Sequence, residues 1–175
     1  SPTTIGVVTS RGGMVKDLHG ATNIYYQVNA TYFSALGESD RRLLLARAVQ
    51  VFMPGKPQVW YLDLFAGRND HDAVAAAGPG GHKEINRTNL TAAEVERGLA
   101  TPVVRDQLDL LRFRARCPAF GFDADLTVEP ATADRLVLTW RRAGWQARLE
   151  CDLTAETFSA TGVDPEGVET FRLVR

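Results

Sequence analysis

Thiols are scarce in this chain: two cysteines, Cys117 and Cys151, stand far apart among 175 residues. Such a pair makes neither a disulfide framework nor a metal-ligand cluster. Both read as reduced, structural thiols, as in a cytoplasmic protein. Histidine is equally sparse. His19, His71 and His82 lack metal-ligand spacing, so no metal site is expected. The Gly78-Pro79-Gly80-Gly81 run is neither a P-loop nor a dinucleotide fingerprint, and no cofactor is implied. An excess of one charge is also missing, since 20 Lys+Arg face 21 Asp+Glu. A near-neutral chain has no electrostatic reason to seek nucleic acid or an anionic membrane. No apolar run approaches the roughly 20 residues that span a bilayer. Ser1 to Gly6 shows no charged segment followed by an apolar one, so no signal peptide is visible. The chain opens at Ser1, inside a segment that reads as helical, and is expected to be a piece of something longer.

What is present is ordinary folded material. Hydrophobic residues make up 45% and charged residues 23%, which excludes disordered and low-complexity classes. The length fits one domain or two small ones. Pro2 to Val8 reads as a helical turn. The Tyr-rich stretch from Ile24 to Phe33 is either a strand or an ordered loop. Ser39 to Met53 is a helix with Ser39 as N-cap and Leu45, Val49 and Phe52 on its buried stripe, widened by Leu44, Ala48 and Val51. Pro54-Gly55 stops it. Gln58 to Leu64 then reads as a buried parallel strand.

Ala66 to Thr88 has the composition of a long loop, and loops of that length tend to be functional. Thr91 to Glu94 is a capping box that opens a helix ended by Gly98. Thr101-Pro102 opens another, with Val104, Leu108, Leu111 and Ala115 as its stripe. Beyond Phe120 the period changes to two. Leu136 to Trp140 and Trp145 to Cys151 alternate around Ala143-Gly144 as a β-hairpin. Thr157 to Thr161 and Val168 to Val174 read as further strands around the Asp164-Pro165-Glu166-Gly167 turn. Residues 1–120 are therefore expected to be α/β and residues 121–175 a small antiparallel β-domain.

Several short patterns then resemble one family. Pro54-Gly55-Lys56-Pro57-Gln58-Val59-Trp60-Tyr61 resembles the approach to the eighth strand of the α-amylase superfamily barrel. Tyr26-Gln27-Val28-Asn29-Ala30-Thr31-Tyr32-Phe33 is similar to a pattern of the sucrose phosphorylase subgroup of glycoside hydrolase family 13. Ala46 to Gln50, Ala66 to Asp70, Glu84 to Arg87 and Thr101 to Val104 also match. The resemblance implies the C-terminal part of a (β/α)₈ barrel, strand eight with its flanking helices, followed by the antiparallel β-domain. A whole barrel needs about 250 residues. The resemblance also implies a retaining double displacement with phosphate as acceptor and glucose 1-phosphate as product. Its three catalytic carboxylates would precede the matched residues. This chain alone is thus expected to be inactive and to need the missing barrel segment.

Binding roles carry over residue by residue. Tyr26 and Gln27 match a loop that contributes to acceptor and phosphate binding. Lys83 stands where the subgroup usually has an arginine; it keeps the charge but loses the planar fork. His82, Lys83 and Arg87 together form an anion-binding arrangement, or else a solvated loop. Ile24, Tyr25 and His82 depart from the subgroup on the acceptor side. They point from sucrose toward a related α-glucoside, glucosylglycerol or a phosphorylated sucrose. The other class of reading is a non-catalytic paralogue acting as a carbohydrate-binding or interaction module. An exposed strand edge would favour self-association, a homodimer included. Asp70, His71 and Asp72 read as loop charges. Asn29, Asn86 and Asn89 open glycosylation sequons of no consequence in the cytoplasm. Trp140 and Trp145 flank the hairpin turn, where core packing competes with a sugar-stacking platform.

Overall fold

Local signals account for most helices of the computed structural model, which describes residues 2–17, 25–130 and 132–175. Helix α1 spans Pro2–Ser10. Strands β1 (Met14–Asp17) and β2 (Tyr25–Asn29) form an antiparallel pair with Lys16 opposite Gln27 and Met14 opposite Asn29. The segment read as strand or loop is thus a strand, followed by the helical turn α2 (Tyr32–Ala35) capped by Thr31. Helix α3 (Asp40–Phe52) starts where the Ser39 hydroxyl accepts the Arg42 amide at 3.3 Å. Its most buried line is Leu43, Leu44, Arg47, Ala48, Val51 and Phe52, rotated from the expected Leu45–Val49 centre.

The expected strand Gln58–Leu64 is not a strand. Residues 56–60 have no regular secondary structure, and Tyr61–Leu64 is one helical turn, α4. A parallel strand exists through bonds to its neighbours, and no described strand runs beside this one. The expected loop 66–88 also holds structure: helix α5 (His71–Ala77) and a 3₁₀ helix (Gly81–Asn86). Asp70 caps α5, and the alanines that follow are the best helix formers. Helix α6 (Ala92–Leu99) has the predicted capping box. Gly98 lies inside it and does not end it. A Cβ there would sit 2.4 Å from the Phe65 ring, so glycine permits a close approach.

Helix α7 spans Pro102–Arg116. Its buried line is Val103, Val104, Gln107, Leu110 and Phe113, whereas Ala115 of the predicted stripe is exposed. Strands β3 (Asp125–Val128), β4 (Arg135–Arg142), β5 (Trp145–Asp152), β6 (Thr157–Val163) and β7 (Glu169–Val174) form an antiparallel meander in sequence order. The predicted hairpin is β4–β5, with Leu138 opposite Leu149. Its turn residues Ala143 and Gly144 have φ of 47° and 83°, the two positive values that a tight hairpin turn demands. Strand β3 escaped the sequence reading because it is short and mostly exposed.

Helices give way to antiparallel strands after Phe120, yet the compact units do not divide there. One unit comprises Ser1–Leu43 and Val59–Val104, the other Leu44–Gln58 and Arg105–Arg175. The second has the aromatic core. Phe120 meets Phe52 edge-on at 5.2 Å, Phe113 at 5.4 Å and Trp140 at 5.9 Å. The Trp140 indole N–H donates to the Phe52 carbonyl at 2.8 Å, so Trp140 is a core residue and no sugar platform. Arg114 lies over the Phe120 ring and donates to the Val51 and Gly55 carbonyls, closing the end of α3. Arg47, only 2% exposed, donates to Gln107 at 2.9 Å and to Gln50. Arg175 grips buried Asp106 bidentately at 2.6 and 2.7 Å. Burial pushes the Cys151 thiol up to about 12, so it stays a protonated core residue.

Candidate functional site

Strand β2 sets Gln27 in place through its pairing with β1. Among the described residues the Gln27 Oε1 atom is buried without a hydrogen-bond partner, and so is Nδ2 of Asn29, a residue only 7% exposed. Buried polar groups are nearly always paired. Two orphans on one short strand, an acceptor and a donor, mark a surface built for something other than packing. The Tyr26 backbone belongs to β2, while the side chains of Tyr25 and Tyr26, and all of Ile24, lie outside the described residues.

The 3₁₀ helix packs against both strands of this pair. Ile85 is its buried anchor, and its backbone carbonyl accepts the Asp70 amide at 2.9 Å. The Asn86 amide donates to the Ala30 carbonyl at 3.3 Å, tying the helix to the end of β2. The Trp60 indole holds the Asn86 carbonyl at 3.0 Å, and the Tyr61 hydroxyl holds that of Thr88 at 2.7 Å. His82 is half-buried, and its Nε2 is a third buried orphan. Lys83 is exposed, and among the described residues no carboxylate pairs with it. Arg87 follows the helix and is partly neutralised by Glu84 at 3.3 Å. The structure therefore brings the strand of Gln27 and the helix of His82 and Lys83 together. It leaves Arg87 exposed and engaged with its own turn.

Two residues without an assigned role hold this arrangement. Asn69 accepts the buried Thr31 amide at 2.7 Å through Oδ1, and its backbone N–H donates to the Ser34 hydroxyl at 3.0 Å. Asp63 accepts the Tyr32 amide at 2.7 Å. These bonds fix the turn that follows β2. Asp70 accepts the Ala73 amide at 2.8 Å and the Thr88 hydroxyl at 2.9 Å, which hold its carboxyl below the usual range, the Ala73 bond first. Asp70 is thus a structural cap, and no acid–base pair with His71. A cleft of about 530 Å³ lined by Leu62, Asn69, Asp70, His71 and Thr88 lies beside it. No local pattern exposed Asn29 as a site residue. In the sequence it stands inside the pattern Tyr26 to Phe33 and opens a sequon, and neither marks it as a binding residue. Among the described residues no three His, Cys, Asp or Glu side chains gather as a metal site would require. Chemically, the arrangement offers an unpaired ammonium, an imidazole and two amides, a set suited to an oxyanion and hydroxyl groups.

Among the described residues this loop-borne set is an arrangement of polar groups that could bind an oxyanion and hydroxyls, without a complete catalytic constellation beside it. The comparisons with known proteins agree. The chain is 57% identical over 160 residues to a sucrose 6(F)-phosphate phosphorylase of Ilumatobacter coccineus, covering 90% of this chain and 30% of that protein. It is 36% identical over 148 residues to a glucosylglycerol phosphorylase of Marinobacter adhaerens, covering 85% of this chain and 30% of the relative. The crystal structure of sucrose 6F-phosphate phosphorylase from Thermoanaerobacter thermosaccharolyticum superposes with a TM-score of 0.89 at 32% identity, over 99% of this chain and 34% of that one. No protein-family model matches the chain. The chain matches a C-terminal part of the sucrose phosphorylases of glycoside hydrolase family 13. It spans about 30% of the length of these curated relatives.

Proposed function

We propose that this chain is the acceptor- and phosphate-binding part of a retaining glucoside phosphorylase whose substrate is a phosphorylated sucrose. In the reaction, an aspartate carboxylate attacks the anomeric carbon, and the glycosidic C–O bond breaks as a glutamic acid protonates the leaving oxygen. A phosphate oxygen then attacks the glucosyl-enzyme, the carboxylate leaves, and glucose 1-phosphate forms. The glutamate takes up the proton of the incoming phosphate. The aspartate and glutamate are assigned to a barrel segment upstream of these residues. Lys83 supplies a charge for phosphate, and Gln27 and Tyr26 hold the acceptor side. His82 and Lys83 replace a glycine and an arginine, and this exchange favours an anionic acceptor over sucrose itself.

The observation that carries the reading is the junction of β2 with the 3₁₀ helix. There, among the described residues, three buried polar atoms lack partners on the two elements, one of which carries an unpaired lysine. The 57% identity to a sucrose 6(F)-phosphate phosphorylase supports the choice of substrate. The test is an assay of the full-length protein on sucrose 6F-phosphate, sucrose and glucosylglycerol, with and without inorganic phosphate. Glucose 1-phosphate formed fastest from the phosphorylated sucrose is expected. Release of free glucose independent of phosphate would make the protein a hydrolase and overturn the reading. Preference for sucrose would overturn the role given to His82 and Lys83.

A further inference from the structure

The two tryptophans beside the hairpin turn have opposite fates. Trp140 is core, whereas Trp145 is half-buried and lines a cleft of about 540 Å³ formed within the second unit alone. Phe171, Thr170, Asp109, Arg112 and Arg116 line the same cleft. None of the site residues described above does. The Phe171 ring is stacked on Phe113 with centroids 4.1 Å apart and planes 7° from parallel, so that wall is stiff and apolar. Asp109 and Arg112 form an exposed ion pair at 2.9 Å. Among the described residues the Trp145 indole N–H and the Arg116 guanidinium have no hydrogen-bond partner.

A hexose ring presents C–H faces that pack on aromatic rings and an edge of hydroxyls that both donate and accept. The cleft answers both needs. Trp145 and Phe171 supply the apolar walls; Trp145 Nε1, Arg112 and Arg116 donate; Asp109 accepts; Thr170 does either. A purely apolar ligand would strand the Asp109–Arg112 pair, and a bare anion would leave the rings idle. The volume lies within the about 300–1,000 Å³ of small-molecule sites. We infer that this cleft is a carbohydrate-binding subsite for one hexosyl unit, carried either by a neutral glucoside or by a hexose phosphate.

The inference is independent of the proposed reaction, because its readout is binding. Titrations of the full-length protein with methyl α-glucoside and with glucose 1-phosphate, followed by ligand-observed NMR, provide the measurement. Trp145→Ala is expected to weaken binding by about tenfold or more while phosphorolysis and Lys83-dependent phosphate binding stay unchanged. Arg116→Gln separates the sources. A loss confined to glucose 1-phosphate assigns a hexose phosphate, and an equal loss for both ligands assigns a neutral sugar. A folded Trp145→Ala protein that binds both ligands as the parent does would overturn the inference, as would a parent that binds neither outside its phosphate site. Where Trp145→Ala lowers the melting temperature, the exposed variants Asp109→Asn and Arg116→Gln decide instead. Unchanged affinity in both overturns the subsite.

Discussion

Each of the two compact units is held together internally by its own means. In the second, aromatic rings and a five-stranded ladder do most of the work, and polar contacts decorate the result. Phe52, Phe113, Phe120 and Trp140 form one cluster, and the outer face of the sheet carries a charge network of Glu129, Arg135, Arg148 and Glu150. In the first unit, short helices and loops are tethered by single side chains to distant backbone groups: Asn69 to Thr31, Asp63 to Tyr32, Trp60 to Asn86, Asn86 to Ala30. A core of rings tolerates the loss of any one polar atom. A tethered loop does not, yet it can display polar groups that packing would have to pair. The orphaned atoms of Gln27, Asn29 and His82 lie in the tethered unit, where the candidate site is.

The contrast can be broken from either side. Trp140→Ala removes a ring from the core and the bond to Phe52, and is expected to cost about 3–5 kcal/mol in urea unfolding of the full-length protein. A cost under about 1 kcal/mol would mean that the ring cluster does not hold the second unit. Asn69→Ala should cost about 1–3 kcal/mol, because it leaves the fully buried Thr31 amide unpaired. Asn69→Asp keeps the accepting oxygen, so the Thr31 amide should stay protected from hydrogen exchange. Equal exchange in the two variants would show that Asn69 acts by volume.

A smaller effect is expected at Asp70. Its alanine variant loses the α5 cap at about 1 kcal/mol. Its folded-state pKa is lowered, so the contribution is present above the ordinary carboxylate range, near about pH 4. It fades as pH falls through the lowered value. Amide exchange of α5, taken relative to the intrinsic rate at each pH, should therefore rise in acid in the parent but not in Asp70→Ala. Lys83→Gln should leave stability within about 0.5 kcal/mol and weaken phosphate binding by about tenfold. A stability loss with phosphate binding intact would make Lys83 a structural residue.

Much of the second unit was legible in advance because its signals are local. Two-residue alternation and a turn of Ala143-Gly144 predict β4–β5 without any partner being known. The capping box at Thr91 and the Thr101-Pro102 start likewise mark α6 and α7. The helical stripes were found with a rotated centre, since periodicity tells that a face exists but its neighbours choose which side is buried. The candidate site was half legible. Gln27, His82 and Lys83 were singled out through resemblance, and their elements do meet. Asn69 and Asp63 were missed, because their partners lie on other segments and no window of sequence contains both ends of such a bond; Asn29 was missed because the burial of its amide is a property of the fold.

Composition, turn chemistry and periodicity by themselves determined the α/β-to-β order of this chain, its helix starts and its hairpin, and the resemblance of its short motifs pointed to the family. The tertiary structure alone decided that Gln58 to Leu64 is not a ladder strand, that Gly98 serves a close approach to Phe65, that Arg47 is buried, and that Trp140 and Trp145 part ways. The physical reason is common to all four. Each depends on what a residue meets across the fold, and strand pairing, desolvation and steric fit are properties of that meeting rather than of the residue.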